Sequence, residues 1–197
     1  MPESVAKMKQ VLEKSLACYV EEVMRFSRAL NLTSVKDRAQ FHQRFILPSL
    51  ALLPMLPSAG RLLDVGSGMG IPGVPILLAR PELRGVLVER RQKRAEFLRH
   101  LKRSFGLDAE IHGKDLDQLP GLCVDICVAR AVDSVESLLT MCAPHAHEGT
   151  LAVLAVPRSG KIINADDWSY QRSNSITAGR ESQIIHIYRY EKVSRET

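Results

Sequence analysis

The chain reads as an α/β domain in which a mostly parallel sheet carries helices on both faces. Three features of the 197 residues predict it. Beyond residue 60, short apolar runs alternate with segments of helical period, the pattern of strands joined by crossover helices. The first run breaks into a glycine cluster that opens a helix. Before that point the apolar spacing is helical throughout, so residues 1–58 are expected as a helical extension packed on a domain at 59–197.

Taken in order, Val5, Met8, Leu12, Leu16, Tyr19, Val23, Phe26 and Leu30 recur every three or four residues and predict one long amphipathic helix. Asn31-Leu32-Thr33 breaks it. Asp37 can cap a second helix running to about Leu47, and a third short piece follows Pro48. Strands are then expected at 61–65, 85–89, 108–112, 123–129 and 149–156. Helices fall at about 72–80, 91–105 and 134–143, and an acidic loop at 114–120. In the tail, 164–167 reads as loop. Residues 184–190 alternate polar and apolar, which predicts a last, antiparallel strand on the sheet edge.

The glycine cluster carries the functional signal. Arg61 to Pro75 reads R-L-L-D-V-G-S-G-M-G-I-P-G-V-P. Glycines are needed where the backbone takes positive φ or a ligand presses on the main chain. A loop between a strand and a helix also aims bare N–H groups at an electron-rich ligand. In an open parallel sheet, ligands bind beyond the carboxyl ends of the strands, where the strand order reverses. Both this loop and the end of the second strand lie there. That second strand ends on Glu89, 23 residues after Gly66, placed to accept the hydroxyls of a ribose.

Two cofactors compete. Gly68-Met69-Gly70-Ile71-Pro72-Gly73 matches G-x-G-x-x-G, the dinucleotide fingerprint, but there the first glycine should directly follow the strand. Gly66 does, and from Gly66 the pattern is G-x-G-x-G. Asp64 beside the loop would repel a pyrophosphate and attract the ammonium of a methionine. Asp64, Gly66, Ser67, Gly68, Gly70 and Glu89 therefore favour S-adenosyl-L-methionine (AdoMet) over NAD or FAD, with a plain structural turn as the remaining reading.

Composition narrows the setting. A hydrophobic fraction of 45% suits a globular core. The longest apolar stretch, 46–59, is interrupted by Pro48, Pro54 and Pro57 and is too short to cross a membrane. The opening M-P-E-S-V-A-K has no apolar signal core, so a cytoplasmic location is expected. Cys18, Cys123, Cys127 and Cys142 form no C-x-x-C pair and read as small buried thiols. Cys142, His145 and His147 lack the two-pair spacing of a metal site, and no metal is expected. Between Arg80 and Arg103 nine Lys/Arg face three acids, an excess larger than the +5 of the whole chain. This focus would draw a polyanion; its bland counterpart is a solvated helix whose core stripe is Phe97, Leu98, Leu101 and Phe105.

D-V-G-S-G-M-G-I-P-G-V-P, together with Asn31-Leu32-Thr33, Lys93-Arg94 with Phe97-Leu98, and D-I-C-V-A-R-A-V at 125–132, resembles the bacterial 16S ribosomal RNA guanine-N7 methyltransferase family, the glucose-inhibited division protein B family. The resemblance covers roughly residues 20 to 156. It implies a Rossmann-like AdoMet-dependent methyltransferase fold. It implies cofactor contacts at Gly66 and Ile71, in the turn after the third strand at Asp115 and Leu116, and at Arg130, which would also face the target base. Arg90, Arg91, Lys93, Arg94 and Arg44 would meet the phosphates of ribosomal RNA or of the small ribosomal subunit. No catalytic base is expected, because guanine N7 already offers a lone pair in its ring plane. Monomeric action is the expectation. The chain departs from the family pattern in several places: Phe45 and Pro48 stand where R-H-x-x-D-S has its His and Asp, Ala155-Val156-Pro157-Arg158 stands where L-K-G is usual, Arg90-Arg91 is more basic than the pattern, and the tail beyond Ser159 matches poorly. Two other readings stay open, namely a methyltransferase of this fold with a different substrate and a non-catalytic RNA-binding or assembly factor.

Overall fold

The computed structural model describes residues 2–130, 134–156, 162–163, 165, 167–178 and 181–192. Ala131 and Val132 of the A-R-A-V motif lie outside the described residues, as do Asn164 and Asp166 of the expected tail loop.

A seven-stranded sheet organises the chain, in the order β3-β2-β1-β4-β5-β7-β6. Its strands are β1 (Gly60–Val65), β2 (Leu83–Val88), β3 (Ala109–His112), β4 (Val124–Arg130), β5 (Ala146–Val156), β6 (Trp168–Ala178) and β7 (Glu181–Tyr190). β1 to β5 pair parallel, and β7 runs antiparallel to both β5 and β6. The order reverses between β1 and β4, so the crevice expected of such a sheet opens beyond the carboxyl ends of these two strands.

The alternation of side chains along each strand sorts the core into two layers. Leu62, Leu87, Ile126, Val128 and Val153 face one side, where they pack with Leu16, Tyr19, Val23, Phe41 and Ile46 from the amino-terminal helices. Leu63, Val86, Val88, Cys127 and Leu154 face the other, against Leu138, Leu139 and Cys142 of α6 (Val135–Cys142). The first layer also holds α4 (Gly73–Ala79) and α5 (Gln92–Phe105). Residues before and after position 59 thus share one continuous apolar layer, and each fully buried Leu, Ile or Phe in it is worth ~1.5–3 kcal/mol.

Helix α1 runs Pro2–Leu30 and stops at Asn31, whose φ of 50° ends helical geometry. It is pinned to α5 by Glu22 and His100, 2.5 Å apart, and by Phe26 against Phe97, with ring centroids 5.5 Å apart. Asp37 caps the next helix as expected, accepting from the Gln40 N–H at 2.7 Å. That helix does not break before Pro48. It passes from α2 (Arg38–Phe41) through a π-helical turn, His42–Ile46, into α3 (Leu47–Leu50). Pro48 falls in the first turn of α3, directly after the π-helical turn.

The tail corrects the sequence reading. Residues 184–190 belong to an antiparallel strand, β7, but it lies inside the sheet, and the edge is β6. β6 reads W-S-Y-Q-R-S-N-S-I-T-A, polar on both faces over most of its length, so it gives no amphipathic signal; such polarity suits an edge strand. The cysteines are corrected too. Cys127 and Cys142 are buried, but Cys18 and Cys123 are exposed. Cys18 lies on the outer face of α1, and Cys123 sits at φ 51° just before β4 begins.

Candidate functional site

The glycine loop leaves β1 at Val65 and re-enters helix at Gly73. Gly66, Gly68 and Gly70 all take positive φ, at 69°, 56° and 98°. The loop closes on itself through Ser67: its carbonyl accepts from Gly70 N–H at 2.6 Å and Ile71 N–H at 3.1 Å, while its own N–H donates to Val88 O at 3.0 Å. Nothing stands within 4 Å of where a Cβ on Gly66 would sit, so the backbone there is open to a ligand.

Glu89 reaches this loop from one residue beyond β2. Its Oε2 accepts from Gly68 N–H at 3.1 Å and its Oε1 from Arg91 N–H at 2.8 Å. The two bonds fix the carboxylate. Each oxygen keeps a further lone-pair direction, so the group can still accept two hydroxyls of a ligand. Gly66 and Glu89 line one cleft of about 690 Å³, within the usual range for small-molecule sites. Asp115 and Leu116, in the turn after β3, close its other side with Lys114 and Asp117. Met141 of α6 also borders it, a contact that no motif announced.

The pleat sends Asp64 elsewhere. It follows Leu62 by two residues and therefore shares the face covered by α1 and α4. The carboxylate is fully buried, and its Oδ2 accepts from Gly73 N–H at 3.0 Å. Among the described residues Oδ1 has no hydrogen-bond partner. Burial pushes this carboxyl up to about 7, opposed by the Gly73 N–H. Asp64 thus anchors the loop from beneath, rather than lying open at the strand end as the sequence suggested. Ser67 is corrected in the same way: its hydroxyl donates to Asp64 O at 2.9 Å, and the residue is buried. Ile71 is buried in the core layer under the loop. Gly73 can only be glycine, because a Cβ there would lie 2.6 Å from Asp64 Oδ2 and 2.8 Å from Leu87 Cδ2.

The basic residues divide. Arg90 and Arg91 are exposed and rim the cleft, and Lys93 is exposed on α5. Arg94 turns inward. Its Nη2 donates to Asn31 O at the end of α1, and Nη1 lies 4.0 Å from where a Cβ on Gly68 would be. It borders both the loop and the cleft, with one nitrogen engaged at Asn31. Arg130 and Arg44 form a separate group at the end of β4. Arg130 Nη2 donates to Arg44 O at 2.7 Å, and its guanidinium lies over the Phe45 ring, 4.7 Å from the centroid. Arg44 stands over the same ring at 5.7 Å. Tyr19, read from sequence as a core-stripe residue, also reaches the loop: its hydroxyl donates to Met69 O at 3.0 Å. His145 is buried, and His147 Nε2 pairs with Asp125 Oδ1 at 3.1 Å.

A glycine loop clamped by an acid two strands into a 3-2-1-4-5-7-6 sheet defines the class: this is the AdoMet-dependent methyltransferase fold. Solved structures share it. The chain superposes on cofactor-bound Rv0187 from MTB with a TM-score of 0.62 at 16% identity, covering 91% of this chain and 90% of that one. It superposes on the RNA methyltransferase from Salinibacter ruber in complex with S-adenosyl-L-homocysteine with a TM-score of 0.57 at 19% identity, covering 77% and 94%. Within the class, the chain belongs to the GidB family, rRNA small subunit methyltransferase G, whose profile matches residues 12–180. The match runs further at both ends than the 20–156 expected from motifs, and takes in β6. A curated relative, ribosomal RNA small subunit methyltransferase G of Sorangium cellulosum (strain So ce56), is 37% identical over 147 residues, 71% of this chain and 62% of the relative. The chain spans a little under two thirds of the length of the first such relatives it matches.

Proposed function

We propose that this chain is an AdoMet-dependent methyltransferase of ribosomal RNA that forms N7-methylguanine in small-subunit rRNA. The observation that carries the reading is Glu89 locked against Gly68 at the mouth of an open glycine loop, in a chain of the GidB family. The cofactor fits the residues present. Glu89 would take the ribose hydroxyls, Gly66 would let the ligand lie on bare backbone, and Leu116 with Asp115 would hold the adenine end. Asp64, beneath the loop, would lend negative potential toward the amino-acid end when it ionises, near pH 7. Bound AdoMet supplies a methyl group on a sulfonium, which the guanine N7 lone pair takes while the S–C electron pair stays on sulfur.

The chain's own residues have a limited task in this reaction. N7 loses no proton before attack, so the work is positioning and a field that tolerates the cationic product. Arg130, held by Phe45 and by the Arg44 carbonyl, is the fixed donor at the substrate side and would orient the base through guanine O6, leaving the N7 lone pair free. Arg90, Arg91 and Lys93 would meet phosphates in a sequence-independent, salt-sensitive way. Among the described residues no helix is long and apolar enough to cross a membrane. A monomer in the cytoplasm is expected on this reading, and light scattering of the purified protein would test the monomer.

Labelled AdoMet incubated with the protein and with small subunits from a strain lacking the gene tests the proposal. The expected product is N7-methylguanine in the small-subunit rRNA. Unchanged N7-methylguanine in the deletion strain overturns the substrate. RNA binding without methyl transfer overturns the enzyme and leaves an assembly factor.

A further inference from the structure

We infer that α1 is a working part of the cofactor site, with Tyr19 as a positioning residue that sets the glycine loop through the Met69 carbonyl. The inference rests on the reading of that loop as the AdoMet site. Tyr19 lies in the middle of α1 and is fully buried, its ring edge-on to Phe41 at 6.4 Å. Its hydroxyl donates to Met69 O at 3.0 Å, across fifty residues of sequence. Met69 sits between Gly68 and Gly70, both at positive φ, the part of the loop with the least stiffness of its own.

Two other bonds of the loop run toward the sheet, Ser67 N–H to Val88 O and Gly68 N–H to Glu89, while the N–H groups of Gly70 and Ile71 close on Ser67 O. Met69 O is turned to α1 instead. Arg94 of α5 approaches from the same side: it donates to the Asn31 carbonyl, just past the end of α1, and its Nη1 lies near Gly68. The loop is therefore held between two jaws, the sheet and the first helix. Loss of the α1 jaw leaves Met69 O without its buried donor and lets the two flanking glycines relax. The ordered backbone that a ligand meets would then have to be restored at the moment of binding. It follows that residues 1–58 do not form a separable extension: ordering of α1 and occupancy of the cofactor site are coupled, and by linkage each strengthens the other.

The test compares the full chain with Tyr19→Phe, which keeps the ring and removes only the hydroxyl. AdoMet affinity is measured by calorimetry, and amide exchange is followed along α1 with and without AdoMet. Phe41→Leu serves as the packing control, since it weakens the same cluster without touching Met69. Tyr19→Phe is expected to weaken AdoMet ~5- to 10-fold, the worth of one buried hydrogen bond. It should also abolish the AdoMet-induced protection of amides around Tyr19. Phe41→Leu should lower the melting temperature more and the affinity less. Arg94→Met, at the half-exposed residue beside Gly68, should weaken AdoMet in the same direction and guards against a Tyr19 variant that does not fold. Wild-type affinity and exchange in Tyr19→Phe overturn the inference. So does a loss of affinity that merely follows stability across all three variants. A wild-type chain that does not bind AdoMet overturns the underlying reading itself.

Discussion

The guanidinium of Arg130 lies over the ring of Phe45, 4.7 Å from its centroid, and donates to the backbone carbonyl of the residue before it, Arg44. The pairing follows from the strand period. Arg130 shares a face with Ile126 and Val128, and that face is covered by the amino-terminal helices, so the strand end delivers its charge to the π-helical turn His42–Ile46. Phe45→Leu keeps an apolar side chain but removes the ring. A partly buried cation–π contact is worth about 1–2 kcal/mol, so kcat/KM for RNA should fall roughly 5- to 30-fold. AdoMet affinity should change less than threefold. Steady-state kinetics with varied RNA and fixed saturating AdoMet decides it; an equal loss in AdoMet affinity would place Arg130 at the cofactor instead.

The basic rim makes a prediction about salt rather than about sequence. Arg90, Arg91 and Lys93 are exposed, while Arg94 is engaged with Asn31 O. Replacing the first three by Gln should lower the slope of log K against log salt for single-stranded RNA by about 2, at ~0.7 per phosphate contact. The Arg94→Gln variant should leave that slope unchanged. Filter binding of an rRNA fragment across a salt series measures both, and a slope change for Arg94→Gln of the same size as for the others refutes the division.

Gly73 gives a stability prediction. A methyl group there would press on Asp64 Oδ2 and Leu87 Cδ2 at once, and both belong to buried, packed side chains. Neither can swing away as the tip of an exposed chain could. Gly73→Ala should therefore destabilise the fold by about 1–3 kcal/mol despite the helical propensity gained, as read from urea midpoints. A midpoint equal to wild type would mean that α4 can shift on β1.

How much of this was legible beforehand depended on whether a signal was local. The glycine loop, the capping Asp37 and the strand that ends at Glu89 are local patterns, and each element stands within a few residues of its expected bounds. The surroundings of Asp64 and Arg94 were not legible because their partners come from elsewhere: Gly73 across the loop and Asn31 across 63 positions. Counting along β1 could have found Asp64, since a residue two after Leu62 must share its covered face. Tyr19 offered no such signal. Its ring obeys the apolar stripe of α1, and only the fold shows that its hydroxyl meets Met69. β6 was missed because its polar residues suit an edge, where neither face must be apolar throughout.

Asp64 ties the loop to pH. Its carboxyl is raised from 3.8 to about 7 by burial, so the folded chain holds a proton that the unfolded chain has released. Stability from this group is complete below pH 4 and is lost as pH rises through 7, a change on the order of 4 kcal/mol. Asp64→Asn removes the titration while keeping an oxygen for the Gly73 N–H. The variant should melt higher than wild type at pH 8, with a flatter profile of melting temperature between pH 5 and 8. Cofactor binding should act in the opposite sense on the wild-type carboxyl. A cationic ligand end above the loop favours the ionised form, so AdoMet binding near pH 7 should release a fraction of a proton. Calorimetry in two buffers of different ionisation enthalpy reads that proton directly. The release should vanish in Asp64→Asn, and its absence in the wild type would mean that the carboxylate does not sense the ligand.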